Sequence, residues 1–320
     1  MPLYLAMDFG GTKLACGLTE SANGMIHSHI RRASPSNAID SMLLMLAMAR
    51  EAIGGRDALS ISGVGISFGG PVDERRERAR LSHHVPGWED YPLVDEVVRA
   101  LGLPTVMDND ANLQCLGEWR YGAGQGTKDM LYVNVGTGIG GGLILGGQLR
   151  RGAHGLAGEV GHTVVDPNGP VCTCGKRGCV ESLAAGPAIA RSAREFLASR
   201  PQDGSWLVAD VGGDPSKITA EAVFRCAAEG DSLCRLVVAR AARYLGIGIA
   251  NAAALVDPEL IVVGGGVAKA GPLLFIPLVG AAKEQAAPLD PEMLSIVPGS
   301  LLDDANILGA VALAEQEFGG

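Results

Sequence analysis

Apolar residues in this chain fall in short runs whose period changes from element to element. Residues 3–7 and 14–18 are apolar on either side of "DFGGTK", a pattern that predicts a β-hairpin with a glycine-rich turn. Residues 38–53 carry helical spacing and stop at Gly54-Gly55. "ISGVGISF" predicts a strand closed by Gly69-Gly70-Pro71. "VDEVVRALG" is an amphipathic helix stopped by Gly102, and "PTVMDND" a strand ending in polar groups. A helix over "NLQCLGEWRYG" follows, then strand, glycine turn and strand in "MLYVNVGTGIGGGLILGG". Helices dominate after residue 181. The longest, residues 231–256, is apolar enough in its second half to be expected buried, and Asp257-Pro258 ends it. "LIVVGGG" is a further buried strand, and the tail from Leu301 holds a stop and a last helix.

Strands mixed with helices on this scale define an α/β fold. The two strand–glycine–strand passages echo each other: Val135-Gly136-Thr137-Gly138 stands where Asp8-Phe9-Gly10-Gly11-Thr12 stood, as in a duplicated half-domain. No Pro/Ser linker marks a boundary. The expected division is 1–113 plus 305–320 as a smaller N-terminal domain and 114–304 as a larger one, the last helix returning to the first domain.

Composition narrows the function. A chain of 320 residues, 47% hydrophobic, has room for two cores. Its net charge of -9, with no Lys/Arg-rich run, disfavours nucleic-acid binding. No run of 18 apolar residues suggests a membrane span, and "MPLYLAMDFGG" lacks a signal-peptide pattern, so a reducing, cytoplasmic setting is expected. The 46 glycines exceed the usual share of about 7% and gather at strand ends, where main chain can approach a ligand closely.

Gly136, Gly138 and Gly141 satisfy G-x-G-x-x-G, but no helix opens there, so a dinucleotide site fails its context; a Walker A loop is absent. A hairpin cradling phosphate with N–H groups and the Thr137 hydroxyl fits better. In "DFGGTK", Asp8 is a candidate for Mg²⁺, with Gly10, Gly11 and Thr12 approaching phosphate oxygens; the plain alternative is a tight turn. In "MDNDAN", Asp110 at a strand end could take a proton from a substrate hydroxyl, with Asn109 and Asn112 suiting a polyol. Equally, Asp110 or Asn109 could simply cap the next helix. Glu159 and His162 in "GEVGH", and Glu181, are acceptors suited to sugar hydroxyls, expected buried among glycines.

His162, Cys172, Cys174 and Cys179 read H-x9-C-x-C-x4-C. A redox pair needs C-x-x-C, and three cysteines are odd for a disulfide set. Four such ligands match the tetrahedral demand of a closed, structural Zn²⁺ site. The other four cysteines lie in apolar or helical patterns and read as small buried hydrophobes.

Taken together, "DFGGTK", "GISFGGPVD", "NDAN", "VGTGIGGG", "AGEVGH", "CTCGKRGCVE" and "VVGGGV" resemble the ROK family (repressors, open reading frames, sugar kinases) over essentially the whole chain. The resemblance implies a two-domain actin-like ATPase (ribonuclease H-like) fold, with a cleft between domains and a zinc-binding loop at 162–179. It implies ATP, Mg²⁺ and structural Zn²⁺, and commonly a homodimer. Asp110 would be the general base. Gly70, Asn109, Asp110, Glu159, His162 and Glu181 would meet the sugar. Asp8, Gly10, Gly11, Thr12, Lys13, Gly136, Thr137 and Gly138 would face ATP phosphates, and Gly264, Gly265 and Gly266 the adenosine end. The implied activity is ATP-dependent phosphorylation of a hexose 6-hydroxyl. Glucose leads, since "YGAGQGTKD" also resembles the glucokinase-type members. N-acetylmannosamine, fructose, mannose and allose kinases share nearly all these residues. A sugar-sensing ROK regulator is disfavoured, because the first hairpin begins at residue 3 and Asp8 and Asp110 are both present. The chain departs from the family at Gly69-Gly70-Pro71, where Pro-Gly-Pro is usual, and near His83 and His84, where many members have Asn before Pro-Gly-Trp.

Overall fold

The structure is a computed structural model that describes residues 2–56, 60–82, 85–200, 202–287 and 289–319; His83 and His84 therefore lie outside the described residues. The chain gathers into two compact units, one of residues 1–126, 142–157 and 303–320, the other of 127–141 and 158–302.

The first unit opens with the hairpin β1 (Leu3–Phe9) and β2 (Lys13–Glu20), followed by β3 (Met25–Ala33), α1 (Ala38–Ile53), β4 (Ile61–Phe68), α2 (Leu93–Leu101), β5 (Thr105–Asn109) and α3 (Asp110–Tyr121). Asn37 caps α1 by accepting from the Asp40 N–H at 2.9 Å, and Gly54, at φ 62°, ends it. The sheet order is β3-β2-β1-β4-β5, with β1, β4 and β5 parallel. Met42, Met45, Met48 and Ala49 of α1 and Leu93, Val94 and Val97 of α2 join one core with Leu5, Met7, Val64, Ile66 and Met107. β3 was not foreseen: "MIHSHIRRA" is polar and no residue of it is fully buried, as suits a sheet edge.

The second unit holds β6 (Met130–Val135), the first half of its neighbour β7 (Ile139–Ile144 straddles the division), α4 (Val180–Ala184), α5 (Gly186–Ser199), α6 (Ser205–Asp210), α7 (Ala220–Glu229), α8 (Ser232–Val256), β8 (Leu260–Gly264), α9 (Pro272–Glu284) and β9 (Ile296–Pro298). The order here is β7-β6-β8-β9, with β6, β8 and β9 parallel. In the second half of α8, Ile249, Ala250 and Ala253 are buried as expected, but Leu255 in the last turn is 85% exposed. No helix among the described residues is long and apolar enough to cross a membrane.

The last helix, α10 (Ala305–Phe318), belongs to the first unit. Small residues let it sit close: a Cβ on Gly65 would meet the Ala310 carbonyl oxygen at 1.9 Å, and one on Gly309 the Leu113 oxygen at 1.8 Å. Leu113 and Leu116 of α3 share a core with Ile307, Ala310 and Val311. This packing holds α3 in the first unit, whereas a boundary at residue 113 would cut that helix; residues 142–157 also group there.

Candidate active site and metal centre

In parallel sheets, ligands sit beyond the carboxyl ends of the strands. In the first unit three polar side chains lie abreast there, since Asp8 of β1 registers with Ser67 of β4, and Ser67 with Asp108 of β5. The Ser67 hydroxyl donates to Asp8 Oδ1 at 2.7 Å. Burial nevertheless pushes the Asp8 carboxyl up to about 6, against the pull of Ser67, Asn306 and Arg31. A desolvated acid at a strand end is suited to a divalent cation. Beyond it, the Gly10 N–H donates to the Lys13 carbonyl at 3.1 Å, and Thr12 and Lys13 are exposed.

One residue past β5 the chain turns into α3. Asn109 is its cap: Oδ1 accepts from the Ala111 N–H at 3.0 Å and the Asn112 N–H at 3.4 Å. Asn109 Nδ2 donates to the Gly70 carbonyl and to Asp110 Oδ1, both at 3.1 Å. Asp110 is the first helical residue, half-buried, and its Oδ1 also accepts from the Ala111 N–H at 2.8 Å. The capping role therefore centres on Asn109. Asn112, read as suited to a polyol, is instead buried and donates to Asp108 at 3.0 Å. Gly70 packs its α-carbon side toward the Leu81 oxygen, 2.4 Å from where a Cβ would sit.

In the second unit the Gly136 N–H donates to the Gly138 carbonyl at 2.9 Å, forming the second glycine turn, with Thr137 exposed at its tip. A Cβ on Gly136 or Gly266 would meet nothing within 4 Å, so these two leave room for a ligand. Gly264 and Gly265 are instead fixed by packing: Cβ atoms there would lie 2.2 Å from the Tyr132 hydroxyl and 2.3 Å from Asn134 Oδ1.

Glu181, one residue into α4, spans two loops. Its Oε2 accepts from the Ile139 N–H at 3.1 Å, just after the glycine turn, and its Oε1 accepts from the Thr173 hydroxyl at 3.1 Å. Glu159 differs from expectation. Its side chain is 51% exposed, at the position just before the short helical turn 160–162, which it does not cap. Desolvation raises its pKa, offset by His162 and reinforced by Glu181.

The ligand atoms of His162, Cys172, Cys174 and Cys179 all lie within 4.8 Å of one another. Cys174 and Cys179 Sγ are 3.7 Å apart, and Cys172 Sγ is 3.6 Å from His162 Nδ1. A tetrahedral zinc with Zn–S of about 2.3 Å and Zn–N of about 2.0 Å needs edges of roughly 3.8 and 3.6 Å. The four residues thus fit Zn²⁺, with Nδ1 on the metal side and Nε2 3.9 Å from Glu159 Oε2. Backbone bonds preform the loop: the Cys172 N–H to the Lys176 oxygen at 2.8 Å, and the Gly175 N–H to the Cys172 oxygen at 2.9 Å.

Asp108 and Arg151 escaped the sequence reading. Asp108 is 1% exposed and paired with Arg151 Nε at 2.5 Å. The acid is visible in "MDND" as a charge inside a strand pattern, but no local signal points to a partner 43 residues on.

The sequence profile of the ROK family matches residues 4–317, and the chain belongs to that family. It is 33% identical over 317 residues to a glucokinase of Thermotoga maritima, covering 99% of this chain and 98% of the relative. It is 34% identical over 318 residues to an N-acetylmannosamine kinase of Escherichia coli, covering 98% and 99%. The fold matches the crystal structure of a ROK family glucokinase from Streptomyces griseus in complex with glucose and AMPPNP, with a TM-score of 0.86, 34% identity, and 98% and 99% of the two chains covered.

Proposed function

We propose that this protein is an ATP-dependent sugar kinase that phosphorylates the 6-hydroxyl of a hexose, with glucose the leading substrate. The observation that carries the reading is the grouping at the carboxyl ends of β1, β4 and β5: Asp8 beside a glycine turn, Ser67 registered with Asp8 and Asp108, and Asn109 and Asp110 at the junction of β5 with α3. Phosphoryl transfer to an alcohol needs a base for the hydroxyl proton and groups that manage phosphate charge. Asp110 takes the proton as the hydroxyl oxygen bonds to the γ-phosphorus and the bond to ADP breaks. Asn109, Gly70, Glu159, His162 and Glu181 receive the sugar hydroxyls. Gly10, Gly11, Thr12 and Lys13, with Gly136, Thr137 and Gly138, receive the phosphates, and Gly264 to Gly266 lie toward the adenosine end. Asp8 would hold Mg²⁺, which, when bound, offsets the charge of the phosphates. Zn²⁺ on His162, Cys172, Cys174 and Cys179 would be structural, fixing the loop whose Thr173 hydroxyl reaches Glu181. A cytoplasmic homodimer is the expected setting.

The identities to glucokinase and N-acetylmannosamine kinase relatives are almost equal, so a kinase for N-acetylmannosamine is the second reading, ahead of fructose, mannose and allose. An ADP-release assay across about a dozen sugars tests both, since kcat/KM ratios define preference. Turnover of glucose above all others is expected. Preference for an N-acetylated sugar would move the assignment to the second reading, and no ADP release with any sugar would refute the kinase.

A further inference from the structure

The Asp108–Arg151 pair lies directly behind the proposed base. Asp108 Oδ1 accepts from the Asn109 N–H at 2.8 Å and from Asn112 Nδ2 at 3.0 Å, so one carboxylate grips the residues on both sides of Asp110. Its other oxygen receives Arg151 Nε at 2.5 Å. Arg151 also accepts the Ala157 N–H on its backbone oxygen at 2.9 Å, closing the segment 151–157. A buried ion pair is a weak source of stability, whereas removing one partner leaves an uncompensated buried charge. Here that charge would sit on the residue that fixes the turn from β5 into α3.

We propose that Arg151 is a positioning residue for phosphoryl transfer: by neutralising Asp108 it keeps the β5–α3 junction, and with it the Asp110 carboxylate, in its working position. The route is short. Arg151 holds Asp108, Asp108 holds Asn109 and Asn112, and Asn109 Nδ2 holds Asp110 Oδ1 at 3.1 Å. The inference rests on the reading of Asp110 as the base. Misplacing a catalytic group by about 1 Å costs on the order of 100-fold in rate.

The test compares Arg151→Met, Arg151→Lys and the double variant Arg151→Met/Asp108→Asn, assayed well below their melting temperatures beside Asp110→Asn. Arg151→Met should lower kcat about 10- to 100-fold and change sugar KM less than about threefold. Arg151→Lys, which keeps the charge, should stay within about fivefold of wild type, and the double variant should recover at least about fivefold over Arg151→Met, because no charge is stranded. The inference is overturned if Arg151→Met keeps kcat within about threefold, if Lys falls as far as Met, or if the loss is all in KM. Should Arg151→Met fail to fold, the other two decide against wild type: kcat within about tenfold in both supports the inference, and a loss beyond about 100-fold in the folded double variant, where no charge is stranded, overturns it. An inactive Asp110→Asn beside a near-normal Arg151→Met would refute only the role of Arg151; an active Asp110→Asn would remove the base reading and this inference together.

Discussion

The two glycine turns share a plan and differ in charge. Each joins neighbouring strands by three residues, Gly10–Thr12 after β1 and Gly136–Gly138 after β6, and in each unit the first strand of the hairpin lies beside a parallel strand, β4 or β8. With the turns matched, Asp8 corresponds to Asn134. Asp8 faces Ser67 across the sheet, and Asn134 faces Gly264. The first turn thus owns a half-buried, desolvated acid, while the second has a neutral strand end and borrows its carboxylate, Glu181, from α4. The same backbone device carries a carboxylate on its own strand in one unit and none in the other, and a single strand residue makes the difference.

Removing the acid from the first turn should have the largest effect. Asp8→Asn is expected to lower kcat by at least about 10²-fold, as loss of an electrostatic group on transferring phosphate does. The same change should stabilise the metal-free protein. The folded-state pKa of about 6 exceeds the ordinary 3.8, so the folded form binds the proton more tightly. The contribution of Asp8 to stability is then fully present below about pH 4 and is lost as pH rises from about 4 to 6, by at most about 3 kcal/mol. Melting curves in EDTA at pH 4 and 7.5 check this: the fall should be smaller in the variant. An equal fall in both would mean that Asp8 is an ordinary surface acid and the contrast between the turns is lost.

Cys174→Ser probes the loop whose Thr173 hydroxyl donates to Glu181. Cys174 is exposed, so the change removes a ligand without opening a cavity. Zinc content by elemental analysis should fall from one per chain, and the melting temperature with it, by roughly 2–4 °C for each kcal/mol of binding lost. Wild-type protein without zinc yet fully active would remove the metal from the account. Smaller still is Glu181→Gln. The amide oxygen can still accept from the Ile139 N–H and the amide nitrogen can donate to the Thr173 hydroxyl, but the charge that strengthens the bond to Ile139 is lost, so KM should rise about fivefold for both ATP and sugar, roughly the difference between a charged and a neutral hydrogen bond. A rise for sugar alone would detach Glu181 from the turn.

What was legible in the sequence follows from how local each signal is. α1 appears at its expected bounds because Asn37 and Gly54 mark both ends within the pattern itself. The four zinc ligands lie in eighteen residues and carry their own chemistry. The edge strand β3 did not declare itself, since a strand that buries little shows little alternation. Glu159 was misplaced because flanking glycines do not report whether a turn faces core or solvent. The capping question at Asn109 and Asp110 needed coordinates, since both residue types favour that position. Arg151 was invisible because its meaning lies wholly in a partner brought close by the fold.

The central claim is that Asp110 acts as the base, Asn109 being the cap. Asp110→Asn keeps the shape at the start of α3 and removes the proton acceptor. Measured on one preparation, kcat should fall about 10²–10⁴-fold, or roughly 3–5 kcal/mol of barrier, while a direct titration with sugar shows affinity within about tenfold of wild type and zinc content is unchanged. Retention of more than about a tenth of wild-type kcat, outside that range, would contradict the account and leave Asp110 as a helix-end residue alone.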